Sequence, residues 1–442
     1  MLSKSKIIVF AVFINSFAFA QNEMSLKQCV EFGIQNNLSL QKSSLEVDKN
    51  KQKEREVLSS ALPQINGSAV LNDNLNLATQ LIPGEIVGKP GTMIPVRFGT
   101  QYNLTVGVSA SQMIYNQTFI LATRASKVAE DLAVLGVEKA KEQLVYDISS
   151  AYYALQVTGV QKNIVESNLI KMQRMMELTK LQYENGLAKK SDYDRLQVNV
   201  SNLQSEFDNI NQTLLYQSSL LKFFMGMKLD SNITISNLIE PSKMQLSVNN
   251  NNLANNVDLK IIETQKELNE LNIKQYYAGY IPSLNANAVY NWQNMGNQIQ
   301  WTGNDAKWYN ITMVGVTLSV PIFDGFNKQS KASQAKIQQE QLNLDALYLA
   351  ESIRLQNLNA FNRLKANENS VLTQEKNMKL AEEIYVSTQE QFKNGLVSLS
   401  ELINAETSLK ESQNNYLRAL VQVKLAELDL LKASGDIESI IK

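Results

Sequence analysis

The chain has 442 residues, of which only 7 are Pro and 18 are Gly, and so little punctuation reads as long uninterrupted elements rather than a set of compact globules. It contains no His and a single Cys, which excludes disulfide frameworks, thiol-rich zinc sites and imidazole chemistry. Lysine and arginine total 42 against 43 acidic residues, a formal charge of -1, so no bulk field draws the chain to nucleic acid, and no nucleic-acid partner is expected.

The first twenty residues read as a secretory signal. Lys4 and Lys6 precede an apolar core over residues 7–14, and Ala18-Phe19-Ala20 closes the segment before Gln21. A membrane anchor is the competing reading, but the apolar stretch is short for a span. Beyond it no apolar run of 18 residues appears, so helical membrane spans are not expected. Cys29, set among larger residues, reads as a buried core position.

The remainder is written twice. Asn36-Asn37 and Leu62-Pro63 recur as Asn255-Asn256 and Ile281-Pro282, displaced by 219. Gly107-Val108 with Ile114-Tyr115-Asn116 recurs as Gly315-Val316 with Ile322-Phe323-Asp324, displaced by 208. Tyr183-Glu184-Asn185-Gly186-Leu187 recurs as Phe392-Lys393-Asn394-Gly395-Leu396, displaced by 209. The step in displacement means that the first copy carries about eleven extra residues, and Pro83, Gly84, Gly88, Pro90, Gly91 and Pro95 mark them as a loop.

In chain order, the first copy (residues 21–227) is expected to hold a helix, strands near 64–77 and 100–115, a long helix over 117–184 and a return helix over 190–225. A polar inter-repeat segment covers residues 228–252. The second copy (residues 253–435) repeats the order: a helix, strands near 283–295 and 308–323, a long helix over 325–393 and a return helix over 399–434. A tail of residues 436–442 follows.

Two periods carry these assignments. Leu196, Val200, Leu203, Phe207, Ile210, Leu214, Leu221 and Phe224 fall at alternating spacings of three and four, with Gln217 the polar interruption, as do Ala405, Leu409, Ser412, Tyr416, Ala419, Val423, Ala426, Leu430 and Ala433: coiled-coil seams. The long helices are rods of roughly 100 Å at 1.5 Å per residue, and each turns back at Asn-Gly-Leu. In the strands the period drops to two. Tyr102, Leu104, Val106, Val108 and Ala110 alternate with Asn103, Thr105, Gly107, Ser109 and Ser111, and Leu284, Ala286, Ala288, Tyr290 and Trp292 alternate with Asn285, Asn287, Val289, Asn291 and Gln293. That pattern fits either a transmembrane β-barrel or a soluble sheet with one wet face. Tyr290, Trp292, Trp301, Trp308 and Tyr309 cluster in one hairpin, as an aromatic belt at a membrane interface requires. Four short strands cannot close a barrel alone, so lipid burial demands that the chain oligomerise. With no imidazole, no thiol pair and no phosphate-cradling Gly loop, neither enzymatic chemistry nor a cofactor is expected.

The order of elements, together with particular residues, resembles the outer-membrane efflux protein family of TolC-like channels. The carriers are Ser25-Leu26-Lys27-Gln28-Cys29-Val30 with Asn36-Asn37, the Leu62-Pro63 and Ile281-Pro282 strand entries, Val320-Pro321-Ile322-Phe323-Asp324-Gly325, and Gln391 to Leu396 continuing to Glu401-Leu402. The resemblance implies a mostly α fold with transmembrane β: a homotrimer whose twelve strands form one β-barrel in the outer membrane and whose antiparallel helices form an α-barrel in the periplasm. It implies, as partners, outer-membrane lipid, a periplasmic adaptor (membrane fusion) protein and an inner-membrane transporter that supplies the energy for efflux or type I secretion. Glu401 matches the outer of two acidic rings at the family's periplasmic gate, while the inner position is Asn404. Asp192 is the repeat equivalent of Glu401. Phe392 and Val397 stand where the family places a Tyr and an Arg that latch the closed state, and Lys189 and Lys190 are candidates to pair with Glu401 instead. The tips Gly186, Leu187, Gly395 and Leu396 match the adaptor-docking positions. Simpler roles stay open: Glu401 and Asp192 near helix starts complement the helix dipole or cap it, the lysines suit a solvated surface, and Gly-Leu terminates a helix. The alternative for the whole chain is a non-channel periplasmic coiled-coil adaptor or structural protein.

Overall fold

A computed structural model describes residues 23–236, 256–303 and 306–440. The expected signal, most of the inter-repeat segment and the last two residues of the tail lie outside the described residues. Two units emerge, one drawn from Met1–Lys42, Glu138–Val257 and Ala350–Lys442, the other from Ser43–Val137 and Asp258–Leu349.

The first copy opens with two helices rather than the single one expected. Helix α1, Leu26–Asn36, starts in a capping box: Ser25 Oγ accepts from Gln28 N–H, and Gln28 Oε1 accepts from Ser25 N–H at 2.9 Å. Asn37 then breaks the helix with extended backbone. Its Oδ1 accepts from Leu40 N–H at 3.0 Å and starts α2, Leu38–Ser59, while its Nδ2 donates to the carbonyl of Phe224 at 2.7 Å. One Asn side chain therefore ends one helix, caps the next and ties both to a third.

Strand β1, Gln64–Asp73, follows, then β2, Thr79–Pro83, and β3, Met93–Arg97. The β2–β3 pair corrects the expectation of a loop: Pro83 pairs with Met93, Leu81 with Pro95, and a 3-10 turn over Gly84–Val87 joins them. Proline is tolerated in a two-stranded ribbon because its missing N–H can fall on the unpaired side. Gly88 and Gly91 supply the left-handed backbone that closes the turn, with φ 77° and 79°. Strand β4 is Tyr102–Tyr115, helix α3 Gln117–Glu184 and helix α4 Lys190–Met225. The second copy supplies α5, Val257–Ala278, β5, Ser283–Gly296, β6, Trp308–Ser319, α6, Asn327–Lys393, and α7, Leu399–Ala433, before a 3-10 turn at Ile437–Ile440.

In the first unit the seams point inward. Leu196, Leu203, Ile210 and Leu221 of α4 are buried, as are Leu409, Ala419, Val423, Ala426 and Leu430 of α7. Leu169 and Met172 of α3 cluster with Leu196, Leu203 and Leu399, and Ala360 and Leu364 of α6 with Val423, Ala426 and Leu430. Asp429 ties three helices, accepting from Tyr146 of α3 at 2.9 Å and from Arg363 of α6 at 3.2 Å. Cys29 is fully buried, and burial pushes its thiol up to about 12, far from the thiolate range where cysteine reacts.

In the second unit the four long strands form an antiparallel sheet in the order β1-β4-β5-β6. The register sets Val106 against Trp292, Val108 against Tyr290 and Ala110 against Ala288, and sets Ile65 against Ala110 and Val316 against Ala286. Cross-strand partners share a face, so the apolar sets of all four strands merge into one surface. The opposite face carries Asn66, Ser68, Asn103, Thr105, Ser109, Asn287, Asn291 and Gln293, joined in part by Gln293 Nε2 donating to Asn103 Oδ1 at 2.9 Å. Gly107 leaves little room on that face: a Cβ there would displace the Asn291 side chain and lie 2.8 Å from the Tyr290 carbonyl oxygen.

Candidate functional site

The two helical turns are built alike. Helix α3 ends as Gly186, at φ 75°, donates to the Tyr183 carbonyl and Leu187 donates to that of Gln182 at 2.8 Å. Helix α6 ends as Gly395, at φ 73°, donates to Phe392 and Leu396 donates to Gln391 at 2.9 Å. This 6→1 and 5→2 pattern satisfies the last carbonyls of each rod. In both turns the residue after glycine projects outward, with Leu187 81% and Leu396 74% exposed.

The starts of the return helices differ. At α7, Ser398 Oγ accepts from Glu401 N–H and Glu401 Oε2 accepts from Ser398 N–H, both at 3.2 Å, a complete capping box. At α4 the equivalent positions are Lys189, which makes no side-chain cap, and Asp192 in the first turn. The Glu401 carboxylate is thus held at the helix start while its residue remains exposed. Lys189 and Lys190 are exposed, and among the described residues no ion pair joins them to Glu401.

Phe392 does something no latch requires. It packs against the Leu169–Met172–Leu196–Leu203–Leu399 cluster and also against the Ala381–Tyr385–Leu402–Leu409 cluster, joining the two. The polar link between the starts of the two return helices comes from a residue the sequence reading passed over: Arg195 Nη1 donates to Ser400 Oγ at 2.6 Å. A groove of about 380 Å³ lies there, lined by Asp194, Arg195, Val198 and Asn199 of α4 and by Ser400, Ile403 and Asn404 of α7. The displacement of 209 that pairs Asp192 with Glu401 also pairs Arg195 with Asn404, and that is the signal by which Arg195 was findable.

Glu406, about two turns into α7, is the second residue missed. Burial pushes its carboxyl up to about 7, against the opposing pull of Lys410 and Lys171. Lys410 is already engaged in an ion pair with Glu206 of α4, and Tyr385 of α6 faces the same carboxyl. Nothing in the spacing marks Glu406, because only the packing of four helices dries it.

The aromatic group divides between faces. Tyr290 and Trp292 stack edge to face with centroids 4.5 Å apart. Trp308 sits on their side of the sheet, opposite Asn294, and donates to the Trp301 carbonyl at 3.3 Å. Tyr309, opposite Gln293, falls on the polar side, because strand neighbours alternate.

The apolar surface of the sheet is bare: Ile65 is 69%, Val314 79%, Val316 64% and Leu318 63% exposed. No described helix is long and apolar enough to cross a membrane. A family model described as "Outer membrane efflux protein" matches residues 33–226 and 248–436, one match for each copy. The chain belongs to the outer membrane efflux protein family. It is 23% identical over 359 residues to the outer membrane protein TolC of Vibrio cholerae serotype O1, covering 75% of this chain and 76% of that protein. Its fold is similar to that of CusC, a transmembrane channel protein (TM-score 0.72, 16% identical, 95% of each chain), and of the CmeC outer membrane channel of Campylobacter jejuni (TM-score 0.73, 14% identical, 93% of this chain and 85% of that one). As an outer membrane efflux protein it is a transport channel of the outer membrane, with its helical part in the periplasm.

Proposed function

We propose that three copies of this chain form a passive conduit through which an inner-membrane transporter, coupled by a periplasmic adaptor, drives its cargo out of the cell. One observation carries the reading: a four-stranded sheet with an exposed apolar face, a polar face, and two unpaired edge strands, β1 and β6. Unpaired edges are not tolerated in hydrocarbon. The strands alternate in direction, so β6 of one copy can meet β1 of the next antiparallel, and the polar faces then line a lumen. Helix α6 supports the same closure, since Ile337, Leu344, Tyr348 and Leu355 make a stripe at spacings of seven, four and seven and are 58–78% exposed. Purified protein is expected to need detergent, run as a trimer and conduct ions in a planar bilayer. A water-soluble monomer without conductance would favour the coiled-coil structural alternative.

In this reading the two turns form the periplasmic entrance. Three Glu401 carboxylates supply a negative ring, and Asn404 leaves the second ring uncharged. Arg195 bonded to Ser400 is the interhelical latch, and Phe392 holds the helices by packing. Glu401→Gln is expected to lower cation preference and weaken block by multivalent cations several-fold; unchanged selectivity removes Glu401 from the ring. Arg195→Ala is expected to raise resting conductance.

The exposed Leu187 and Leu396, each beside its glycine, are the adaptor contacts. Changing both to Asp is expected to leave bilayer conductance intact while abolishing pump-dependent efflux in cells. Efflux at the original level would move the docking site elsewhere.

A further inference from the structure

Among the described residues the β2–β3 hairpin has no counterpart in the second copy, where only residues 297–307 join β5 to β6. It rises from the end of the sheet where Asp73 pairs with Tyr102 and Tyr102 with Gly296, away from the strand ends that lead into helices. Its neck is fixed: Asn74 Nδ2 donates to the Thr100 carbonyl at 2.9 Å, and Gln101 N–H donates to Asn297 Oδ1 at 3.1 Å. Its tip is fixed as well. Gly84 N–H donates to the Thr92 carbonyl at 2.7 Å, and Glu85 accepts from Gly91 N–H at 3.2 Å; its own backbone N–H first, and that of Gly91 second, hold the Glu85 carboxyl below its usual range.

A two-stranded ribbon is marginal by itself, and this one is apolar on both faces. Leu81 and Met93 project from one face and are 62% and 59% exposed, Ile82 and Ile94 pair on the other, and Ile86 at the tip is 72% exposed. With the helices in the periplasm, this end of the sheet faces the external medium, where such a surface needs a cover. Anionic lipid is a poor one, because between residues 75 and 98 Glu85 offsets one of only two cations, Lys89 and Arg97. The same hairpin from another copy offers a matching apolar surface.

We propose that the three β2–β3 hairpins of a trimer lean over the outer mouth and pack on one another through their apolar faces, forming a lid that outgoing cargo displaces. The lid rests on the threefold barrel reading above. Its geometry is adequate: twelve strands about 4.8 Å apart, tilted by about 40°, enclose a radius of roughly 12 Å, whereas a five-residue strand spans about 17 Å. Each hairpin can therefore reach the threefold axis. A hairpin present once per chain gives three lobes, matching that axis.

Two variants of the full-length protein test the lid. In the first, residues 79–97 are replaced by two glycines between Ala78 and Phe98, whose backbones already bond at 3.3 Å; single-channel conductance is expected to rise several-fold. In the second, Ile86→Cys is oxidised in detergent, with Cys29 too buried to compete. Covalent dimers are expected within trimers of native size. Native-size trimers with no covalent dimer and unchanged conductance in the deletion variant overturn the lid while leaving the barrel intact. A wild-type protein that is not trimeric overturns both.

Discussion

Val314→Arg is expected to abolish trimer assembly in the outer membrane, whereas Ser109→Arg is expected to leave trimers intact and shift selectivity towards anions. Val314 is 79% exposed on the apolar face of β6, opposite Ala288. Ser109 belongs to the polar face, opposite Asn66 on β1 and Val289 on β5. An arginine on the lipid face near the bilayer midplane costs about 2–4 kcal/mol, so three copies cost roughly 6–12 kcal/mol, comparable to the whole stability of an ordinary domain. A lumenal arginine remains in water and changes only the field that ions cross. Heat-resistant trimers in outer-membrane fractions, followed by reversal potentials in a salt gradient, read both effects. If both variants assemble equally well, the apolar face does not meet lipid and the barrel reading fails.

Glu406→Gln is expected to remove a pH dependence from the stability of the helical part. Burial raises the Glu406 carboxyl to about 7 in the folded chain, from 4.5 as its ordinary value. Between those values the native state holds a proton that the unfolded chain releases, so stability falls as pH rises through this window and stays reduced above pH 7. The full loss is on the order of 3 kcal/mol per chain, with the opposing pull of the two lysines already included in that value. Thermal unfolding followed by helical circular dichroism should show the wild type more stable at pH 5 than at pH 8, and Glu406→Gln level between them and gaining at pH 8. Identical pH profiles for the two proteins would exclude Glu406 as the titrating group.

Much of the architecture was legible because it rests on periods. The displacement of 219 that matches Asn37 to Asn256 also maps α2 onto α5 and the start of β1 onto that of β5, residue for residue. Alternation in β4 and β5 placed Val106, Val108, Tyr290 and Trp292 on one face, since a one-residue slip would reverse every side chain. What escaped was decided by single contacts. The break at Asn37 depends on a side chain that caps one helix and reaches Phe224 187 positions away. The β2–β3 hairpin hid behind its prolines, whose loop character holds for central strands but not for a ribbon with free edges. Near the turns, Glu401 and Asn404 were identified from the resemblance, whereas the Arg195–Ser400 bond and the drying of Glu406 arise only when helices from both copies are set side by side.

The duplicated turns are equal in outline and unequal in firmness. Ser398 and Glu401 clip the beginning of α7, while α4 begins at Lys189 with no such clip, a difference of about 1 kcal/mol at each site. Around the proposed ring of three chains, six outwardly similar knuckles would therefore alternate between stiff and yielding. Unlocking would begin at the yielding three, and a docking protein would meet a rim with a threefold rhythm of compliance despite its sixfold silhouette.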